Sequence, residues 1–175
     1  MIRPVIKTNA LGKTFVLFFH EYEENGVCSN WYKSDFEVDG VKFSCVEQYM
    51  MYKKAMLFNN IRIAKEIMAE TDPKNMKALG RRVKGLDFNV WDKHKFEIVL
   101  TGVTNKFMQN KELKQWLIEA EADYFVEASP FDAIWGIRLG PTDPRCLDVN
   151  QWKGENLLGK ALMQARENII SSENL

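Results

Sequence analysis

From Val46 to Phe58 the sequence reads VEQYMMYKKAMLF, a stretch that few folds can accommodate. Wound as an α-helix at about 100° per residue, it sets Glu47, Met51, Lys54 and Phe58 on one narrow stripe, with Met50 at the edge. Val46, Tyr49, Met50, Met51, Ala55, Met56, Leu57 and Phe58 leave little polar face, so the helix must be largely buried, and a carboxylate and an ammonium go in with it. Burying a charge is costly unless it is paired or lines a cavity. The Cα atoms of Glu47 and Lys54 are about two turns, roughly 10 Å, apart. That is too far for the usual i, i+4 pair and suits a molecule lying between them. The competing reading has Glu47 cap its own helix while Lys54 reaches solvent along its aliphatic stem.

What surrounds this helix is bounded by composition. At 175 residues and 46% apolar content the chain fits one domain, expected to span 1–175, with a substantial core. Lys plus Arg and Asp plus Glu are both 24, so no net field draws the protein to nucleic acid or to an acidic membrane, and any nucleic-acid substrate has to be gripped locally. The apolar run Phe15 to Phe19 is shorter than a signal-peptide core or a membrane span, which predicts a soluble, cytoplasmic protein. Cys28, Cys45 and Cys146 make no C-x-x-C pair, and His20 and His94 lie far apart. Neither a disulfide framework nor a metal centre is expected, and no cofactor. The chemistry falls to carboxylates, lysines and water.

Strands are expected first and helices later. Thr14 to His20 is apolar and aromatic, and Phe36 to Phe43 alternates around Asp39-Gly40, a hairpin signal. Ser44 stands three residues before Glu47, the capping-box spacing, ahead of a helix over 45–58. Further helices are expected over 61–70, over 73–79 with Gly80 as a C-cap, over 91–108, where Phe96, Val99, Leu100, Val103 and Phe107 keep amphipathic spacing, over 112–119 and over 156–170. Tyr124 to Glu127 reads as a short strand ended by Ser129-Pro130. Gly12-Lys13-Thr14 has the look of a P-loop end, but the first glycine is replaced by Lys7 and a strand follows, so it reads as a turn. The fold class is α+β, a small N-terminal β-sheet packed by several helices.

A run of motifs now carries a family resemblance. Cys28 to Tyr32, Glu47-Gln48-Tyr49 to Lys54-Ala55, Leu79-Gly80-Arg81, Trp91, Asn105-Lys106-Phe107, Val126 to Gly136, and Asn156 to Gly159 through Arg166 occur in order from about residue 15 to 170. Together they resemble the NADAR family, also called YbiA-like. The resemblance implies a single compact α+β domain and an N-glycosidase acting on ribosides linked to phosphate. Two substrate classes come with it: phosphorylated pyrimidine intermediates of riboflavin biosynthesis, and ADP-ribose joined to a base, including ADP-ribosylated guanine in nucleic acid. The partner is accordingly a nucleotide-like small molecule or ADP-ribosylated nucleic acid, with no membrane and no obligate protein partner. A sensor that binds NAD or ADP-ribose without turnover is the rival reading; it would use the same pocket but not need both Glu47 and Lys54.

Cleavage at C1′ builds positive charge on ribose and negative charge on the departing base, so the site needs carboxylates, an acid near the base and cations at phosphate. Glu47 and Asp132 are the candidates for stabilising the sugar cation, orienting ribose or activating water; Asp132 after Ser129-Pro130 is equally suited to a turn. Lys54 either orients the substrate as an ammonium or, desolvated and neutral, forms a Schiff base with the opened sugar aldehyde. Lys53 points about 100° away from it. Trp91, Trp135 and Tyr32 suit a stacked ring, with Trp116 and Trp152 assigned to packing. Arg81 suits phosphate, and Arg82 and Lys84 less so. Glu127 is expected to orient another site residue, Gly136 to bind substrate within its motif, and Lys106 to lie on the polar side of its helix. Ser29 and Asn30 either turn the chain or bond ribose or phosphate.

Overall fold

The computed structural model describes residues 2–173. In chain order its elements are β1 (Lys7–Thr8), β2 (Thr14–Phe18), β3 (Phe36–Val38), β4 (Val41–Phe43), α1 (Val46–Leu57), α2 (Ile61–Ala69), α3 (Pro73–Gly80), α4 (Phe88–Gln109), α5 (Lys111–Glu119), β5 (Tyr124–Glu127) and α6 (Leu157–Glu173). Short 3-10 turns occupy Gly26–Cys28, Pro144–Leu147 and Val149–Gln151. The α+β expectation holds, and Gly12, with φ of 76°, sits in the turn between β1 and β2 as read.

The sheet is not assembled from N-terminal residues alone. Its order is β1-β2-β5, with β1 antiparallel and β5 parallel to β2, pairing Phe15 with Tyr124 and Phe18 with Glu127. A parallel neighbour needs a long crossover, and here five helices lie between the two strands. Side chains alternate across β2: Val16 and Phe18 join the main helical core, whereas Phe15 and Leu17 join a second cluster with Val126, Ile137, Leu139 and Cys146. Being buried on both faces explains why the strand reads as an unbroken apolar run. It stops at Phe18 rather than His20, because Phe19 and His20 turn toward a cavity.

β3 and β4 form a separate hairpin in the expected register, Phe36 opposite Phe43 and Val38 opposite Val41. Asp39 and Gly40 have φ of 51° and 77°, the two left-handed positions of a type I′ turn. The hairpin packs Phe36 and Phe43 edge-on against Tyr49 of α1.

α1 is central, packed by α2, α3 and α4, and α6 lies against both α4 and β5. Two expectations are corrected here. Ser44 does not cap α1: the N-cap is Cys45, and Ser44 instead gives its amide and hydroxyl to Gln48 Oε1 at 2.8 and 3.1 Å. Gln48 takes that local role, and the Glu47 carboxylate is directed elsewhere. Gly80 does not end α3 in a left-handed cap; it is the last helical residue, and a Cβ there would fall 1.9 Å from Met51 Sδ. Its missing side chain serves the packing of α3 on α1. Gly159 has the same use at a harder wall, since a Cβ would meet the Phe125 carbonyl oxygen of β5 at 2.0 Å. Alanine normally favours a helix over glycine by about 1 kcal/mol, but overpacking against fixed backbone outweighs that. Gly159→Ala is therefore expected to lower folding stability by about 2–3 kcal/mol in denaturant titration. A neutral or stabilising result would show that α6 can slide on β5.

Candidate active site

The C-terminal ends of the parallel strands β2 and β5 open onto a cavity of about 470 Å³, the crevice that open sheets offer to ligands. Phe19, His20 and Glu21 leave β2 into its wall, and Glu127 and Ser129 leave β5 beside them. α1 contributes Glu47, Met50, Met51 and Lys54, α3 contributes Lys77, with Arg81 just past its end, and α4 contributes Trp91. Two similar turns complete the wall. Ser29 Oγ accepts from Trp31 N at 3.2 Å, and Ser129 Oγ accepts from Phe131 N at 3.3 Å. Each lets a short loop bend while its neighbours, Asn30 and Trp31 on one side, Phe131 and Asp132 on the other, face the cavity. The Glu47 amide donates to the Asn30 carbonyl at 2.9 Å, which ties the first turn to the start of α1.

The electrostatics follow from burial. Glu47 is 3% exposed, and desolvation pushes its pKa up to about 7; Lys77, the Trp31 side chain and Lys54 oppose that push, and Asp132 adds to it. Glu127 is pushed up to about 8, again by burial first, with Asp132 and Glu47 raising it further and Lys77 lowering it. Burial lowers the pKa of Lys54, Glu47 pulls it back up and Arg81 pushes it down. The Lys54 ammonium lies 5.5 Å from the centre of the Trp91 ring. Five buried side-chain polar atoms lack a hydrogen-bond partner among the described residues, and three of them belong to this cavity: Asn30 Oδ1, Glu47 Oε1 and Glu127 Oε2. Buried acceptors without donors are expensive, so three on the walls of one cavity mark a place for a ligand that donates hydrogen bonds.

The structure brings Ser29, Asn30, Glu47, Lys54, Arg81, Trp91, Glu127, Asp132 and Trp135 to this one cavity. Asp132 is also the turn residue it was weighed as, its Oδ1 accepting from Ile134 and Trp135 amides at 2.8 Å each. Two candidates are corrected. Tyr32 is not in the lining; its ring lies 5.3 Å from the Lys106 ammonium, behind the Ser29 turn. Gly136 is not in the lining either; a Cβ there would meet the Glu127 carbonyl at 2.8 Å and the Asp132 carbonyl at 3.0 Å, so its bareness lets those two wall segments close on each other. Arg82 points away to Glu66 at 3.3 Å, and Trp152 bonds the Cys146 carbonyl at 3.0 Å in the second core. Lys77 was missed, although its place four residues before Arg81 puts both cations on one face of α3. Trp31, Ser129 and Phe131 were missed as well, hidden inside the motifs that named their neighbours.

Lys106 reverses its expectation. It is 1% exposed, and its ammonium donates to the Val27 and Ser29 carbonyls at 2.6 and 3.0 Å with no carboxylate paired to it among the described residues. Burial brings its pKa down to about 8, so it stays charged at neutral pH. It fastens the back of the turn that presents Asn30 to the cavity. Lys106→Met strands the Val27 carbonyl, while the Ser29 carbonyl keeps the Tyr32 amide at 3.2 Å, and is expected to cost about 1–3 kcal/mol of stability, the range for one buried group left unpaired. A melting temperature unchanged from that of the parent chain would show that other donors replace it.

Comparison with known proteins places this arrangement. Over 160 residues the chain is 41% identical to an N-glycosidase of Acanthamoeba polyphaga mimivirus, covering 86% of this chain and 94% of that one. It is 39% identical over 173 residues to protein irg-1 of Caenorhabditis elegans, covering 90% and 80%. The NMR structure of the E. coli protein YbiA superposes with a TM-score of 0.76 at 27% identity, covering 99% of this chain and 91% of that one. The family model for the NADAR domain matches residues 17–170, and the chain is a member of the NADAR family.

Proposed function

We propose that this protein is an N-glycosidase that separates a base from C1′ of a phosphorylated ribosyl group, with ADP-ribose linked to a base as its substrate. The observation that carries the reading is the cavity's set of buried, unpartnered oxygens, Asn30 Oδ1, Glu47 Oε1 and Glu127 Oε2, beside the cations Lys54, Lys77 and Arg81. Ribose hydroxyls donate the hydrogen bonds that Asn30 Oδ1 and Glu47 Oε1 lack, the Glu127 carboxyl is left for the base, and phosphate takes the cations. Trp91 and Trp135 line the same cavity and suit stacking on the base. The mimivirus relative named as an N-glycosidase supports the same class.

The two raised carboxyls divide the work. With a pKa of about 8, Glu127 holds its proton at neutral pH and gives it to the departing base. Glu47, near 7, is ionised in half or more of the molecules above that pH, where its charge stabilises the sugar cation and takes a proton from the attacking water. Asp132, fixed by two backbone amides, adds negative charge on the sugar side. Lys54, at the other end of the α1 stripe and in the same cavity lining, would contact the sugar either as an ammonium or as an amine that condenses with the opened aldehyde.

The assay is base release from ADP-ribosylated guanine, from phosphorylated pyrimidine ribosides and from NAD. Release from the first is expected, with kcat/KM greatest between about pH 7 and 8, where Glu47 has lost its proton and Glu127 has kept its own. Glu47→Gln should lower kcat by roughly 100- to 10,000-fold with binding retained, and Glu127→Gln should flatten the alkaline limb. Release only from pyrimidine ribosides assigns the other substrate class. Binding without release from any of the three contradicts the enzyme reading and leaves a sensor.

A further inference from the structure

The cavity's mouth carries aromatic surface that packing does not explain. Phe131 is 86% exposed and Tyr22 75% exposed. They end a row of four rings: Phe131 lies 6.4 Å from Phe19, Phe19 lies 3.9 Å from His20, and His20 lies 5.1 Å from Tyr22 with the planes only 7° apart. Phe19, His20 and Phe131 line the cavity, and Tyr22 extends the row outward from it.

The backbone beneath the row is held. Asn25, itself buried, bonds the Val5 amide and carbonyl and the Leu17 carbonyl, all at 2.9 Å. Glu23 N and Gly26 N close turns onto the His20 and Glu23 carbonyls. A Cβ on Gly26 would meet the Glu21 carbonyl oxygen at 2.4 Å, so only glycine lets the loop fold back this tightly. Exposed rings on fixed backbone beside a cavity are the mark of a surface waiting for a partner. Exposed rings suit a flat ring, and the mouth opens onto the same cavity as the cations Lys77 and Arg81.

We propose that Phe131, Phe19, His20 and Tyr22 form a second subsite, which stacks a further nucleobase of the substrate, one joined through phosphate to the ribosyl group in the pocket. The inference rests on the reading that the pocket takes a phosphorylated ribosyl group. It explains a preference within that reading: a substrate carrying a second base gains from the row, and a riboside with one base and one phosphate does not. The second base is either the adenine of ADP-ribose or a neighbouring base of a nucleic-acid strand. Both present the same π-face.

The test uses Tyr22→Ala combined with Phe131→Ala, and Tyr22→Phe as the variant that keeps the ring. Binding of free ADP-ribose, of ribose 5-phosphate and of an ADP-ribosylated guanine oligonucleotide is measured by calorimetry. Loss of the two rings should weaken a base-bearing ligand about tenfold more than ribose 5-phosphate, in line with base-on-aromatic stacking, and Tyr22→Phe should restore the affinity. A selective loss with free ADP-ribose assigns the stacked ring to its adenine; a loss confined to the oligonucleotide assigns it to the strand. Equal effects on all three ligands, or no binding of ADP-ribose or oligonucleotide by the parent protein, overturn the subsite. Failure of the glycosidase reading has a different signature: ADP-ribose binds and the variants discriminate, yet no base is released.

Discussion

A carboxylate that is 3% exposed, with one oxygen that no donor reaches, is the constraint on which the rest of this structure turns. Glu47 sits in the first turn of α1, whose buried residues apart from it and Gln48 are apolar, and burial raises its pKa from 4.5 to about 7. For an acid whose folded pKa lies above its unfolded one, the native state binds the extra proton between those two values. Folding stability is therefore given up as pH rises from about 4.5 toward 7. A chain that needed Glu47 only for structure would gain by replacing it with glutamine. The arrangement makes sense when a ligand's hydroxyls and cationic neighbours complete what the folded chain leaves open.

Everything around Glu47 serves that opening. The parallel pairing of β2 with β5 brings residues more than a hundred positions apart to one crevice, so Phe19 and His20 meet Glu127 and Ser129. Glycines set the distances: Gly80 admits Met51, Gly136 lets the Glu127 and Asp132 segments close, and Gly159 seats α6 on β5. Lys106 holds the Ser29 turn from behind through two carbonyls. None of these touches the cavity's contents, yet each fixes a wall of it. Opposite charges then face the same space, with Lys54 over Trp91 at one end and Lys77 and Arg81 along α3.

Much of this was legible in the sequence where a short-range rule applied. The Asp39-Gly40 turn, the strand Tyr124–Glu127 and the stripe that unites Glu47 with Lys54 are each fixed by residues within one element, and all appear as read. The misreadings share a different physics. Ser44 with Glu47 has capping-box spacing, but Gln48 competes for Ser44, and spacing cannot rank two acceptors one residue apart. Gly80 looks like a cap because it ends a helix, whereas its reason is Met51 on another helix. Lys106 sits among apolar neighbours on α4, and only the tertiary approach of the Val27 to Ser29 turn supplies its acceptors. Tyr32 follows that turn to the far side of Lys106 for the same reason. Lys77 could have been found from its i, i+4 relation to Arg81, the one omission a local rule would have repaired.

The site therefore depends on a proton held where an exposed glutamate would have lost it. Carboxyl carbon NMR of the ligand-free protein, with glutamate labelled and Glu47 assigned by its absence in Glu47→Gln, reads that proton directly. A titration midpoint near 7, which falls when phosphate-bearing ligand and its hydroxyls fill the cavity, is the predicted result. A midpoint near 4.5, unchanged by ligand, would mean that Glu47 is solvated and that the sheltered site described above does not exist.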